Sequence, residues 1–274
     1  MTKRTIFALV MLAASAQFFA ASASAAATET DQWCVPAAAI TDDGEISRTV
    51  AVPPTTDVRT IVGVRVRVAA THPWVGDLSF RVRHPSGIEV VLVDRPGIPS
   101  VGFPGPWGCG GDNIDCWFDD AAVAAAETTC SVTAVPVLAG SLRPTGSLAS
   151  LKGLAPQGVW TLTVSDSVAG DAGQLTAACI EITTAPDCNV NGVDDAVDIA
   201  AGTSADVDED GVPDECGCIA DLDGDGAVTG ADLAAMLGAW GPCAACSADI
   251  TGDGQVLGDD LAVLLSSWGA CGAS

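Results

Sequence analysis

Near the carboxyl terminus the acidic residues are spaced for one kind of chemistry. The stretch Asp221–Leu233 reads DLDGDGAVTGADL, and a near copy, DITGDGQVLGDDL, starts 28 residues later at Asp249. Calcium takes about six to eight oxygens, and a twelve-residue loop supplies them from positions 1, 3, 5, 7, 9 and 12, with a glycine bend at position 6. The first loop offers Asp221, Asp223, Asp225, the Ala227 carbonyl and Asp232, with Thr229 at position 9 and Gly226 at the bend. The second offers Asp249, Thr251, Asp253, the Gln255 carbonyl and Asp260 around Gly254. Leu257 at its position 9 has no side-chain oxygen, so the second loop is expected to bind more weakly.

Two further runs precede these loops: Asp187, Asn189, Asn191, Gly192, Asp195, and Asp206, Asp208, Asp210, Gly211, Asp214. They resemble thrombospondin type 3 calcium repeats, and a flexible acidic linker is the alternative. Residues 187–274 hold 18 acidic residues and no lysine or arginine, while the whole chain carries a net charge of −24. A segment of that kind repels itself until cations neutralise it. The same charge argues against nucleic acid as a partner, because phosphate binding needs a basic surface.

Other chemistries find fewer residues. The chain has two histidines, His72 and His84, and no G-x-S-x-G elbow. A nucleophilic serine needs a base oriented by a carboxylate, and nothing in the sequence sets either histidine in such a frame. Both read as residues at strand ends, and the chain is expected not to be an enzyme. Eleven cysteines, all beyond residue 33, fit disulfides in an oxidising compartment, with one thiol left over.

The elements that would carry these loops follow from periodicity. Lys3 and Arg4, an apolar run to Ala20 and Ala23-Ser24-Ala25 have the order of a secretory signal peptide, expected to be removed after Ala25. The protein is therefore expected to be secreted, with no membrane span after cleavage. IVGVRVRVA places Val62, Val64, Val66 and Val68 on one face, with Arg65 and Arg67 on the other. DLSFRVRH turns Leu78, Phe80 and Val82 inward, the turn Pro85-Ser86-Gly87 leads into Ile88–Asp94, and VWTLTVSD sets Trp160, Leu162 and Val164 together. Short alternating strands between Gly/Pro turns make an antiparallel β-sandwich. The alanine-rich Asp119–Glu127 is the one helical signal within it. In the tail, Leu233, Met236, Leu237 and Trp240, and again Leu261, Leu264, Leu265 and Trp268, form apolar stripes of paired helices.

The segments Thr71–Gly87, Gly111–Asp115 and Gly158–Leu175 resemble the P domain, or Homo B module, of proprotein convertases. That resemblance implies a jelly-roll β-sandwich over 34–184 that accompanies a subtilisin-like protease and breaks no bonds itself. In it Asp77, Asp166 and Asp171 fall in motif positions, the last two either as a turn and a loop brace or around a cation. The duplicated loop–helix unit resembles a dockerin type I module over 217–274, which implies docking to a cohesin on a scaffold of a polysaccharide-degrading complex. However, the Ser/Thr residues common at positions 10 and 11 of dockerin loops are replaced here by Gly230-Ala231 and Gly258-Asp259. The chain thus divides into a leader (1–25), a sandwich (34–184), an acidic linker (185–216) and a calcium-loop tail (217–274). Its expected partners are a protein or glycan at a cell surface or matrix, a protease in trans, or a cohesin-like receptor. The expected disulfides are Cys34–Cys179, Cys109–Cys130, Cys188–Cys216, Cys218–Cys243 and Cys246–Cys271, leaving Cys116 free.

Overall fold

In a computed structural model, residues 28–97, 108–131, 133–206, 211–243 and 246–270 are described. The leader lies outside them, as do Asp208, Asp210 and Cys271. The alternating valines form β4 (Arg59–Thr71), which pairs antiparallel with the long strand β10 (Gly173–Pro186). Around this pair a six-stranded sheet is built. β1 (Glu29–Val35) and β2 (Ala38–Ile40) lie on the far side of β10, and β7 (Ile114–Phe118) and β8 (Leu138–Leu142) lie beyond β4. β7 and β8 are parallel, and the sheet's other pairs are antiparallel. The second sheet runs β3 (Glu45–Val52), β9 (Gly158–Asp166), β5 (Leu78–Arg83), β6 (Glu89–Asp94). Each of these strands is antiparallel to its neighbours.

The two sheets share one apolar core. Val64, Val66 and Val68 of β4, Leu78, Phe80 and Val82 of β5, and Trp160, Leu162 and Val164 of β9 are all buried in it, as their alternation requires. The register departs from strict alternation at the start of β4. There Gly63 faces Thr183 while Ile61 faces Thr184, so Val62 is bulged out of the ladder. As a result Ile61 is buried and Val62 is only half-buried. A bulge inserts one residue and flips the face of everything before it, which is why Val62 does not join the other valines.

Asp119–Glu127 forms no α-helix. Ala124 and Ala126 instead hydrogen-bond to the backbone of Arg143, and a bridge pairs Ala125 with Arg143. The chain therefore runs beside the end of β8 with a single 3-10 turn at Ala126–Thr128. Pairing with a neighbouring strand outweighs alanine's weak helical preference.

Disulfides join Cys34 to Cys179, Cys109 to Cys130 and Cys188 to Cys216, and Cys116 is free and buried. Burial, then the Asp115 charge, pushes its thiol up to about 12, which leaves it protonated and unreactive. The tail pairing differs from expectation. Cys243 is bonded to Cys246, with Cα atoms 5.8 Å apart, which excludes both Cys218–Cys243 and Cys246–Cys271. A disulfide needs a short Cα separation, and two cysteines only three positions apart in the chain can supply it, so repeat symmetry was no guide. Cys218 is also disulfide-bonded.

The tail has its own small cluster of buried residues: Ala220, Val228, Met236, Ala248, Ile250, Val256 and Leu264. Its helices are α2 (Gly230–Gly238) and α3 (Gly258–Ser266), preceded in the chain by a short α1 (Asp195–Ala201) in the linker. The helices stop before the tryptophans, because the chain turns into two-residue strands that pair crosswise. β11 (Ala227–Val228) of the first loop pairs with β14 (Gly269–Ala270) after α3. β13 (Gln255–Val256) of the second loop pairs with β12 (Gly241–Pro242) after α2. The expected stripes are therefore shorter than predicted: Met236 and Leu264 are buried and Leu233 and Leu261 half-buried. Leu237, Trp240, Leu265 and Trp268 are each about half exposed.

Candidate metal centre

All four acidic runs share one local bond. The first aspartate reaches across its loop and accepts the N–H of the glycine five residues on. Asp221 Oδ2 takes Gly226 N at 2.7 Å, Asp249 Oδ2 takes Gly254 N at 2.7 Å, Asp187 Oδ2 takes Gly192 N at 3.0 Å, and Asp206 Oδ2 takes Gly211 N at 3.1 Å. The bend needs a positive φ, and Gly226 and Gly254 adopt 88° and 89°, a region that side chains disfavour. The same bond therefore closes the same tight bend in each run.

In the first tail loop the carboxylates of Asp221, Asp223 and Asp225 have oxygens within 4.8 Å of one another. Asp232, in the first turn of α2, is fully buried and closes the loop. Its Oδ1 accepts Leu222 N at 2.8 Å and Asp223 N at 3.2 Å, and its Oδ2 accepts Thr229 N at 2.7 Å. The Thr229 amide leads the hydrogen bonds that hold this carboxyl below its ordinary range, against the opposing effect of burial. Asp223 shifts the other way, raised by desolvation and by the charges of Asp225 and Asp232. Like charges this close are relieved by a cation.

The second tail loop has the same frame with fewer donors. Asp260 is fully buried, and its Oδ1 accepts both Thr251 N at 2.9 Å and Thr251 Oγ1 at 3.0 Å. Burial alone would raise this carboxyl, but the bonds from Leu257 and Thr251 bring it below its ordinary value. Asp253 Oδ1 accepts Gln255 N at 2.9 Å, and Gln255 is the seventh residue of the loop. At the N-cap of α2 the Thr229 hydroxyl accepts Ala231 N at 3.2 Å. Leu257, at the same place in α3, has no oxygen to offer.

The linker's first run is more than an acidic spacer. Asn191 and Gly192 donate to Asp187, and Asn189 Oδ1 accepts Asn191 N at 3.1 Å. Asp195 and Asp198 lie in α1, 5% and 3% exposed. Asp198 occupies position 12 counted from Asp187, and its Oδ2 accepts Asn191 Nδ2 at 2.7 Å. Sequence reading stopped at Asp195 and missed Asp198, although the twelve-residue count was enough to find it. Burial first, and then neighbouring aspartates, raise the Asp195 carboxyl, whereas hydrogen bonds from Thr203 and Asn191 lower that of Asp198.

This run is also fastened to the sandwich. Asp187 N donates to Val58 O at 3.1 Å. Gly192 lies so close to Gly153 that a Cβ on Gly153 would come within 2.9 Å of the Gly192 carbonyl oxygen. Of the second run, Asp206 and Asp214 are described, and Asp214 N bonds to Ala205 O at 2.8 Å.

These donor sets are oxygen alone, in loops sized for a large cation. They suit calcium and not the nitrogen and sulfur ligands that zinc favours. The cluster of Cys188, Asp195 and Cys216 is not such a site, because its two sulfurs are joined in a disulfide.

Both histidines are buried and hydrogen-bonded in the sandwich. His84 stacks edge-on to Trp160 at 4.7 Å, with Nε2 3.0 Å from Ala155 O and Nδ1 2.8 Å from Ser86 Oγ. A carbonyl, not a carboxylate, orients it, and burial lowers its pKa. His72 pairs with Asp166 inside the sandwich.

No family model matches the chain. A stretch of 125 residues is 28% identical to a calcium-dependent protease of Trichormus variabilis. The match takes in 44% of this chain and 14% of that protein, so the chain spans only a small part of its relative's length. Among solved structures, a serine protease of Aeromonas sobria in complex with its chaperone aligns over 60% of this chain and 28% of its own, at 16% identity and a TM-score of 0.37. The same protease alone aligns over 58% and 27%, at 15% identity and a TM-score of 0.35. Among the described residues no helix is long and apolar enough to cross a membrane.

Proposed function

We propose that this chain is a secreted, non-catalytic calcium-binding protein. Its sandwich is a P-domain-like jelly roll that serves as a binding module, and its dockerin-like, calcium-stiffened tail attaches it to a cell surface or matrix. The observation that carries this reading is the bond from the first aspartate to the sixth-position glycine, repeated in four loops. In the first tail loop that bond accompanies three carboxylates whose oxygens converge. In the tail, Asp221, Asp223, Asp225, Ala227 and Asp232 hold one ion, and Asp249, Thr251, Asp253, Gln255 and Asp260 another. In the linker Asp187, Asn189, Asn191, Asp195 and Asp198 serve a third, while Asp206, Asp208, Asp210 and Asp214 serve a fourth. Bound calcium supplies charge neutralisation, which lets so acidic a tail compact. Isothermal titration of the full chain with calcium tests this reading. Uptake of several ions, reduced by Asp221→Ala, supports it, and no uptake refutes it.

A second reading is favoured by the match to a calcium-dependent protease. Here the sandwich assists a subtilisin-like endopeptidase supplied in trans. Co-purification of such a protease on the immobilised chain would favour it. A cohesin-bearing partner captured by the tail would instead favour assembly into a polysaccharide-degrading complex.

A further inference from the structure

Where the linker's first run meets the sandwich, a cavity of about 280 Å³ lies between the β3–β4 connection, the approach to β9 and the linker itself. Its volume is just below the ~300–1,000 Å³ of most small-molecule sites. It has room for one small ring and not for a length of extended chain.

The lining holds a hydrogen-bonding group with nothing to bond. Thr60, at the start of β4, is 2% exposed, and its Oγ1 is buried without a partner among the described residues. A buried hydroxyl left in that state is costly, and a ligand in the cavity would satisfy it. Thr56 and Gln157, both exposed, add a hydroxyl and an amide that no bond within the described residues engages. The charged groups of the lining are already matched. Arg59 gives Nη1 to Asp57 Oδ2 at 2.7 Å and Nε to Thr184 Oγ1 at 3.0 Å, and Asp187 accepts Asn191 N and Gly192 N. An ionic ligand would have to displace one of these pairs, whereas a neutral one would not.

The rest of the lining includes apolar surface from Pro54, Val58 and Val190, with Val58 41% and Val190 70% exposed. Val190 is held at a φ of 58°, where a β-branched residue is a genuine outlier. Strain of that kind persists only where its surroundings impose it, and it gathers at ligand clamps. A ring with an apolar face and hydroxyls at its edge matches both kinds of surface. We propose that this cavity binds one neutral sugar ring of a glycan, its C–H face against Val58 and Val190 and its hydroxyls on Thr60 Oγ1 and the Gln157 amide. The assignment rests on the reading of the sandwich as a binding module, and it gives that module a site and a ligand class.

Saturation-transfer NMR of the full chain in calcium, with glucose, galactose, mannose and N-acetylglucosamine as free sugars, tests the proposal. At least one sugar should receive saturation. Thr60→Val keeps the shape and removes the hydroxyl, so it should weaken that sugar about tenfold without lowering the melting temperature. Gln157→Ala, at an exposed position, should weaken it severalfold, and it carries the same test should Thr60→Val fail to fold. Transfer that is equal in the parent and in both variants would overturn the site, while leaving the sandwich a binding module elsewhere. Absence of transfer to every sugar would overturn the ligand class. So would saturation of an uncharged Ser/Thr peptide that Thr60→Val abolishes where no sugar responds, since the cavity would then belong to a protein partner.

Discussion

Inside the sandwich the enclosed side chains are Trp160, Phe80 and Phe118, flanked by leucines and valines from both sheets. Inside the tail, two of the most enclosed side chains are the carboxylates of Asp232 and Asp260, set among seven buried apolar residues. The sandwich is held by apolar area removed from water, which depends little on solution ions. A cluster as small as the tail's cannot hold a fold against chain entropy, and modules of that size need disulfides or metals. The same chain thus solves the stability problem in two ways, and the difference lies in what each region buries.

The comparison breaks most sharply at Trp160. Replacing it with alanine should cost the sandwich about 3–5 kcal/mol, since its ring is fully enclosed and its Nε1 donates to Pro156 O at 2.9 Å. Calcium uptake by the tail should be unchanged. Chemical denaturation followed by sheet signal, alongside calorimetric calcium titration, measures both.

Calcium removal should do the reverse. In chelator the helical signal of α2 and α3 should fall while the sheet signal persists. Calcium at 100 times its dissociation constant stabilises the bound form by about 2.7 kcal/mol, a large share for so small a unit. Asp232→Ala in calcium should mimic chelation of the first loop. Helicity equal with and without calcium would show that the buried carboxylates are satisfied by their backbone donors alone.

The linker's first run tests where the boundary between the two regimes falls. Gly192 both bends the Asp187 loop and packs on Gly153, with φ of 85° and 77°. Gly153→Val leaves every proposed calcium ligand in place but drives a side chain into the Gly192 carbonyl. It should cost about 1–3 kcal/mol by overpacking and backbone strain. If the linker loop belongs to the sandwich, calcium should raise the parent's sheet melting temperature and raise that of Gly153→Val less. Equal shifts would place the loop with the tail.

Much of the sandwich was legible because a period of two is a local signal: Phe80, Val82, Trp160 and Leu162 declared their face in the sequence. The bulge at Val62 was not legible, since it depends on how β10 pairs and on nothing near Val62 itself. The same holds for Asp119–Glu127, whose partner Arg143 lies further along the chain. In the tail the glycine bends and the aspartates bonded to them were legible, because their spacing is itself the signal. The end of each stripe was not, because the crosswise pairs β11–β14 and β12–β13 remove Trp240 and Trp268 from their helices. Asp198 shows a third case, in which the information was present but the count stopped short.

The smallest expected effect concerns the inequality of the two tail loops. Position 9 is threonine in the first and leucine in the second, and it is also the N-cap of the helix that follows. Thr229 accepts an amide of α2 while its own amide is held by Asp232. Leu257 has the second half of this arrangement, its amide donating to Asp260 Oδ2 at 2.8 Å, but not the first. A cap hydroxyl is worth about 1 kcal/mol, and the same oxygen at position 9 adds a donor to the ion, directly or through water. Leu257→Thr should therefore stabilise α3 by about that amount and tighten the weaker calcium step severalfold, leaving the stronger step alone. The half-buried Leu257 gives up some apolar contact, which sets the gain at the low end. Calcium titration of the full chain would resolve the two steps. A weakened second step would mean that Leu257 matters more as packing than as a missing ligand, and that the two loops differ in their cores and not in their oxygens.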